Sequence, residues 1–197
     1  MNELETLNML LRLIGSSPVN SVSTDHPDAA NALATMKRIS KRVQRKGWWC
    51  NIEYNIVLQP NDRGEILVGK DISSLVAVDR NLLLRGVRLY NKQLQTSTFT
   101  SPVTIQRLVR VLQWDEMPQV MQECCAYNAG AEFVRDELED PSKEQSLKDS
   151  GGQSYLDLKK QDLEEGQYNS FHKPRVARAR GGIRPYQSGS RFIGDTW

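Results

Sequence analysis

Apolar residues at Leu4, Leu7, Leu10, Leu11 and Ile14 recur at spacings of three and four near the start of the chain. Residues so spaced share one face of a helix, so the segment predicts a short amphipathic helix. Gly15 ends it, because glycine takes the left-handed C′ conformation without a Cβ clash, and Ser16-Ser17-Pro18 continues as a loop. A second helix is signalled by Thr24 or Asp25 as cap, Pro27 in the first turn and Asp28 at the positive end of the helix dipole. Ala30, Leu33, Met36 or Lys37, Ile39 and Val43 carry its stripe, and Gly47 stops it. Its last turns hold Lys37, Arg38, Lys41, Arg42, Arg45 and Lys46, a basic face at a helix C-terminus.

After Gly47 the period changes from about 3.6 to 2. Trp48 to Ile56 predicts an extended strand, rich in aromatic and β-branched residues. Gln59 to Gly64 is a turn by its chemistry. Short strands are expected at Ile66–Val68, Leu75–Val78, Leu82–Leu84 and Val87–Tyr90, separated at Asp79-Arg80-Asn81 and Arg85-Gly86. Val103 to Leu112 closes the series with imperfect alternation. Helix returns after Trp114-Asp115-Glu116-Met117-Pro118, capped by Asp115 or Glu116, with Val120, Cys124, Tyr127, Ala131 and Val134 or Leu138 as its stripe. Small residues from Cys124 to Ala131 permit close approach of another helix. Pro141 breaks the chain, and a fourth helix is expected from about Ser142 to Tyr168. Gly151 and Gly152 predict a kink or local break in it, since each glycine costs about 1 kcal/mol against alanine.

The order helix, helix, strands, helix, helix predicts an α+β protein: a four-helix bundle, two helices N-terminal and two C-terminal, with an inserted small antiparallel β-domain and an extended C-terminal arm. The expected boundaries are 1–47 with 114–171 for the bundle, 48–113 for the β-domain and 172–197 for the arm. The arm has prolines, glycines and basic residues and too little apolar surface to fold alone.

Charge sharpens this organisation. The chain has 197 residues and a formal net charge of only +2, with 39% apolar and 25% charged residues, near the usual values for a globular protein. From Gln119 to Phe171 there are twelve Asp/Glu against five Lys/Arg, and from His172 to Trp197 six Lys/Arg against one Asp. A basic tail beside acidic helices suggests an arm that reaches another molecule or folds back on its own chain.

Enzyme chemistry finds little support. No phosphate-binding glycine loop, G-x-S-x-G or H-E-x-x-H occurs. Three cysteines, two of them adjacent, and two histidines give neither a disulfide framework nor zinc-ligand spacing, and no cofactor is expected. Reduced thiols suit assembly in the cytosol. Cys50 with His26 or His172 would be a nucleophile–base pair only on paper, because Cys50 lies among aromatic residues and is expected to be packed. Glu3 and Glu5 sit where a signal peptide needs positive charge, and no apolar run reaches membrane-spanning length. The basic segments carry more signal. Lys37, Arg38, Lys41, Arg42, Arg45 and Lys46 form a candidate subunit-facing or DNA-facing surface. In the tail, Arg175, Arg178, Arg180, Arg184 and Arg191 suit phosphate or carboxylate partners alike, and Tyr186, Phe192 and Trp197 favour a protein partner.

Several segments, in order, resemble the tail tubular protein A, or tail adaptor, family of T7-like short-tailed phages. They are Leu11 to Val19, Asp28 to Ala32, Arg42 to Asn51, Trp114 to Pro118 and Tyr168 to Phe171. The resemblance implies a structural virion protein rather than an enzyme. Family members form a twelve-fold ring between portal and tail nozzle, part of the channel through which DNA leaves, with fibres or spikes around the junction. By analogy, the C-terminal arm would bind the portal through the tail residues named above. The resemblance also implies location in the virion tail after assembly in the host cytoplasm, without membrane insertion. The small-residue helix face would then be a candidate ring contact and the β-domain the contact to the nozzle. The alternative from the residues alone is a nucleic-acid-binding protein using residues 37–46 and the basic tail.

Overall fold

The computed structural model describes residues 1–23 and 25–166. Its first element, α1 (Glu3–Leu13), begins with a reciprocal capping box. The Asn2 side chain accepts from the Glu5 backbone N–H at 2.7 Å, and the Glu5 carboxylate accepts from the Asn2 N–H at 2.9 Å. Helix α2 (Pro27–Gln44) starts one residue later than expected, with His26 as N-cap making no side-chain capping bond; Pro27, which lacks an N–H, sits at the position where none is needed. Its buried stripe is Ala29, Ala32, Met36, Ile39 and Val43, so Ala30 points out rather than in.

Residues 48–51 are a turn and not the start of a strand. Asn51 closes it: its side-chain oxygen accepts from the Trp48 N–H at 2.8 Å, and its own N–H donates to the Trp48 carbonyl at 3.1 Å. Trp48 thereby leaves the strand pattern and is buried in the helical core, its indole N–H on the Val43 carbonyl at 2.9 Å. The strands are β1 (Ile52–Leu58), β2 (Ile72–Ala77), β3 (Leu82–Arg85), β4 (Arg88–Asn91) and β5 (Val103–Arg110). They pair antiparallel in two sheets, one of order β1-β5-β2 and one hairpin, β3-β4. The expected strand at Ile66–Val68 forms only isolated bridges, yet Ile66 and Val68 are buried. A register shift between Val76 and Ala77 along β5 accounts for the imperfect alternation there.

After a single 3-10 turn (Trp114–Glu116), Pro118 caps α3 (Gln119–Glu137), and Asp140 caps α4 (Pro141–Glu165) by accepting from the Ser142 and Lys143 N–H groups. Neither Asp115 nor Glu116 caps α3; both lie in the 3-10 turn, because Pro118 delays the helix. Pro141, expected as a breaker, is the first residue of α4. Helix α3 is buried on several sides rather than along the single expected stripe: Met121, Cys124, Cys125, Ala129, Phe133 and Val134 are all inaccessible, whereas Val120 and Tyr127 are half-buried and Leu138 is exposed. Helices α1 and α2 pack on it, and α4 lies along it.

Helix α4 runs through Gly151 and Gly152 without a break. The reason is packing. A Cβ on Gly151 would approach the Asn128 side chain to 3.1 Å, and a Cβ on Gly130 of α3 would approach Leu13 to 3.2 Å and Leu147 to 3.5 Å. The small-residue face from Cys124 to Ala131 is thus consumed inside the chain, between α1 and α4, and is not a free ring contact. Residues 1–166 form one compact unit. It contains a helical core and a smaller cluster in the sheet around Ala77, Ile105 and Leu108.

The helical core joins the sheet through buried amides. Gln44 of α2, fully inaccessible, donates to the Leu112 carbonyl at 3.1 Å and accepts from the Leu112 N–H at 2.7 Å. Asn51 donates to the Gln44 carbonyl at 3.1 Å and the Arg110 carbonyl at 2.7 Å. Replacing Asn51 by Leu removes the partner of the Trp48 N–H and one bond from each of the Gln44 and Arg110 carbonyls, the former keeping only the Gly47 N–H at 2.9 Å. Urea unfolding is expected to show a loss of at least about 2–3 kcal/mol. Two glycines should respond in opposite directions. Gly47 has φ +77°, and a Cβ there would run into the Arg107 guanidinium, so Gly47→Ala should cost about 1–2 kcal/mol. Gly152 faces open space within α4, so Gly152→Ala should raise stability by up to about 1 kcal/mol in the same measurement.

Candidate interaction site

The six basic residues at the end of α2 are all exposed, and they divide into two rows. Residues four apart stack on one helix face. Arg38, Arg42 and Lys46 form the row that meets the rest of the helical unit. Arg38 pairs with Glu132 at 3.1 Å and Asp136 at 3.6 Å, and Arg42 pairs with Glu132. The Lys46 ammonium donates to the Tyr155 hydroxyl at 2.9 Å and lies 4.3 Å from that ring's centroid. These exposed pairs contribute little individually, about 0–1 kcal/mol, but they occupy the charges.

The second row is Lys37, Lys41 and Arg45. Together with Lys70, just before β2, it lines a cleft of about 1070 Å³ whose floor includes Ile72, Ser73 and Val111. Among the described residues no carboxylate stands within 4.0 Å of these four cations. The one acid lining the cleft, Asp71, is held by Arg110, which also binds Glu53 at 2.7 Å. That bond to Glu53, with Asp71 adding to it, holds the Arg110 proton more firmly than in water. The floor of the cleft is neutralised while its rim is not. The arrangement suits an anionic surface laid across α2. The basic face read from the sequence is therefore exposed throughout, but half of it is paired within the chain, Arg38 and Arg42 lining the cleft while bound to Glu132. Lys70 was missed because it is remote in sequence and joins the row only through the fold.

The tail residues Arg175, Arg178, Arg180, Arg184, Tyr186, Arg191, Phe192 and Trp197, and His172, lie outside the described residues. The carboxylate nearest to Cys50 in its effect, Asp162, accepts from the neighbouring Trp49 N–H at 2.8 Å and raises the thiol rather than activating it. Burial pushes the Cys50 and Cys124 thiols up to about 11, and raises Cys125 further. A thiol held neutral is a poor nucleophile. Among the described residues no group of three or more His, Cys, Asp or Glu side chains could hold a metal, and no helix is long and apolar enough to cross a membrane.

The profile of the tail tubular protein family matches residues 4–175. The chain belongs to the tail tubular protein family. It is also 27% identical over 121 residues to tail tubular protein A of Klebsiella phage KP34, a match covering 60% of this chain and 64% of that relative's length. The family is a structural component of the phage tail, as the resemblance implied.

The thiol environment makes a test. Alkylation by iodoacetamide near pH 8 is expected to be slow in the native protein and fast once it is unfolded. The folded-state thiol pKa values are raised, so stability is complete below about pH 9 and should fall as pH rises from 9 towards 11, where the unfolded chain ionises first. Denaturant midpoints across that interval measure it.

Proposed function

We propose that this tail tubular protein is the subunit of a head-to-tail adaptor ring, joining the portal to the tail nozzle and lining part of the DNA ejection channel. The observation that carries the reading is the family match over residues 4–175. The helices α1 to α4 serve as one four-helix unit, built from 1–47 and 114–171, and residues 48–113 act as an inserted β-domain directed at the nozzle. Residues 172–197 form an arm to the portal, using Arg175, Arg178, Arg180, Arg184, Arg191 and the aromatic residues Tyr186, Phe192 and Trp197.

Charge supports the arm. Residues 1–166 carry 20 Lys/Arg and 23 Asp/Glu, whereas residues 172–197 carry six Lys/Arg and one Asp. A cationic segment attached to an acidic body is suited to an anionic patch elsewhere. About twelve such arms in one ring would bind with avidity although each contact is weak. The homo-oligomer is read as a twelve-membered ring assembled in the host cytoplasm, with fibres or spikes at its outer edge. The protein acts as a scaffold and not as an enzyme.

A second reading, nucleic-acid binding, draws on the cleft with Lys37, Lys41, Arg45 and Lys70. It requires duplex binding with a steep salt dependence. Removal of residues 172–197 separates the readings. The shortened protein should keep its melting transition and lose co-purification with the portal; undiminished portal binding rules out the arm. Electron microscopy of the full chain mixed with its portal should show closed rings.

A further inference from the structure

The larger sheet ends on both sides in an open edge. Strands β1 and β2 each pair with β5 and, among the described residues, with no other strand. The backbone N–H and carbonyl groups that point away from β5 are left for a further strand, and folded proteins usually blunt such edges with lysine, proline, a bulge or a covering element. Neither Ile52–Leu58 nor Ile72–Ala77 contains a lysine, an arginine or a proline. The single charged residue of the two strands, Glu53, is held by Arg110. Asn55 has φ +56°, but the register of β1 on β5 is the same before and after it, so no extra residue is inserted there. The two register shifts of β2 on β5 are of opposite sense, and Ile72 and Ala77 end in one register. Both edges also carry apolar side chains: Tyr54 is 57% and Val57 53% exposed beside β1, and Val76 is 47% and Val78 63% exposed beside β2. These residues stand at matching levels. Tyr54 and Val76 both pair with Arg107, one from each side. Val57 pairs with Thr104, whose carbonyl accepts from the Val78 N–H at 3.2 Å.

We infer that β1 of one copy pairs with β2 of the next, so that the three-stranded sheets of neighbouring copies join into one continuous sheet. Both strands are antiparallel to β5 and therefore run parallel to each other. A rotation about an axis along the strands lays the β2 edge of one copy beside the β1 edge of its neighbour in the same direction. Such a contact is heterologous and repeats from copy to copy until it closes. With the copies level, Val76 meets Tyr54 and Val78 meets Val57, so all four exposed apolar side chains cover one another. The two edges together name the occupant. A strand from a different protein, or two β1 strands meeting about a two-fold axis, would satisfy one edge and leave the other open. A second copy supplies the missing edge each time, and a closed ring has none left.

The inference rests on reading the chain as a subunit of a homo-oligomeric ring and specifies which strands meet. Full-length Tyr54→Cys/Val76→Cys protein, assembled with its portal and oxidised, tests it on non-reducing gels. Within one copy the two positions lie two strand spacings apart, about 9–10 Å, beyond the reach of a disulfide. Between copies in the joined sheet they are neighbours. A ladder of covalent multimers is expected from the double variant, dimers from an equimolar mixture of the two single variants, and neither from wild type, whose own cysteines are buried or half-buried. Lysine on an edge should act in the opposite direction. Val57→Lys and Val76→Lys should each lower the yield of rings in electron micrographs at least about tenfold, with an unchanged melting transition. Leu94→Lys, at a residue equally exposed but on neither strand, should leave the yield as it is. Rings from the double variant without a ladder would sink this contact and leave the ring itself standing. Dimers from one single variant alone would show like edge meeting like edge, which also overturns it. Lysine variants that form rings as wild type does but lose attachment of the nozzle would assign the edges to a strand of another protein. No ring even with wild type would remove the ring and the contact together.

Discussion

Gln44 and Asn51 join the helices of this fold to its larger sheet. An amide side chain that both donates and accepts can stitch two backbone segments at once, and here two of them do so in the interior. Gln44 ends α2 and pairs with both polar groups of Leu112, while Asn51 ties the end of α2 to Arg110 at the end of β5. The strand β5 is the centre of the larger sheet, so these bonds fix the sheet's orientation on the helices. The Lys37, Lys41 and Arg45 row belongs to α2, and Lys70 to the approach to β2 beside β5. Their convergence into one cleft therefore depends on the same buried amides.

Burial of α3 is the second constraint. A helix surrounded on several sides needs small residues where its neighbours come closest, and Cys124, Cys125, Ala126, Ala129 and Gly130 provide them. Gly151 does the same from α4. Residues that look weak for a helix in isolation are here the ones that let two helices approach. The price is a thiol environment with little reactivity, in keeping with a structural protein of the phage tail.

The charges follow from this packing. Arg38 and Arg42 share Glu132, and Lys46 rests on Tyr155, so the inner row of α2 is spent on α3 and α4. What remains is an outer row with no carboxylate within 4.0 Å among the described residues.

Much of the secondary structure could be read from local pattern alone. Hydrophobic spacing placed all four helices within a few residues, Gly15 and Gly47 marked helix ends through their positive φ, and alternation found the strands from β2 onward. These features rest on chemistry within a few residues of chain, which a sequence carries directly. The segment order also pointed to the tail tubular family. Long-range contacts decided the rest. The Asn51 side chain turned Trp48 out of a strand and into the helical core, Asn128 gave Gly151 its purpose, and Glu132 and Tyr155 together claimed half of a basic face that looked uniform. Each of these depends on a partner brought close by the tertiary fold, so no local pattern could contain it.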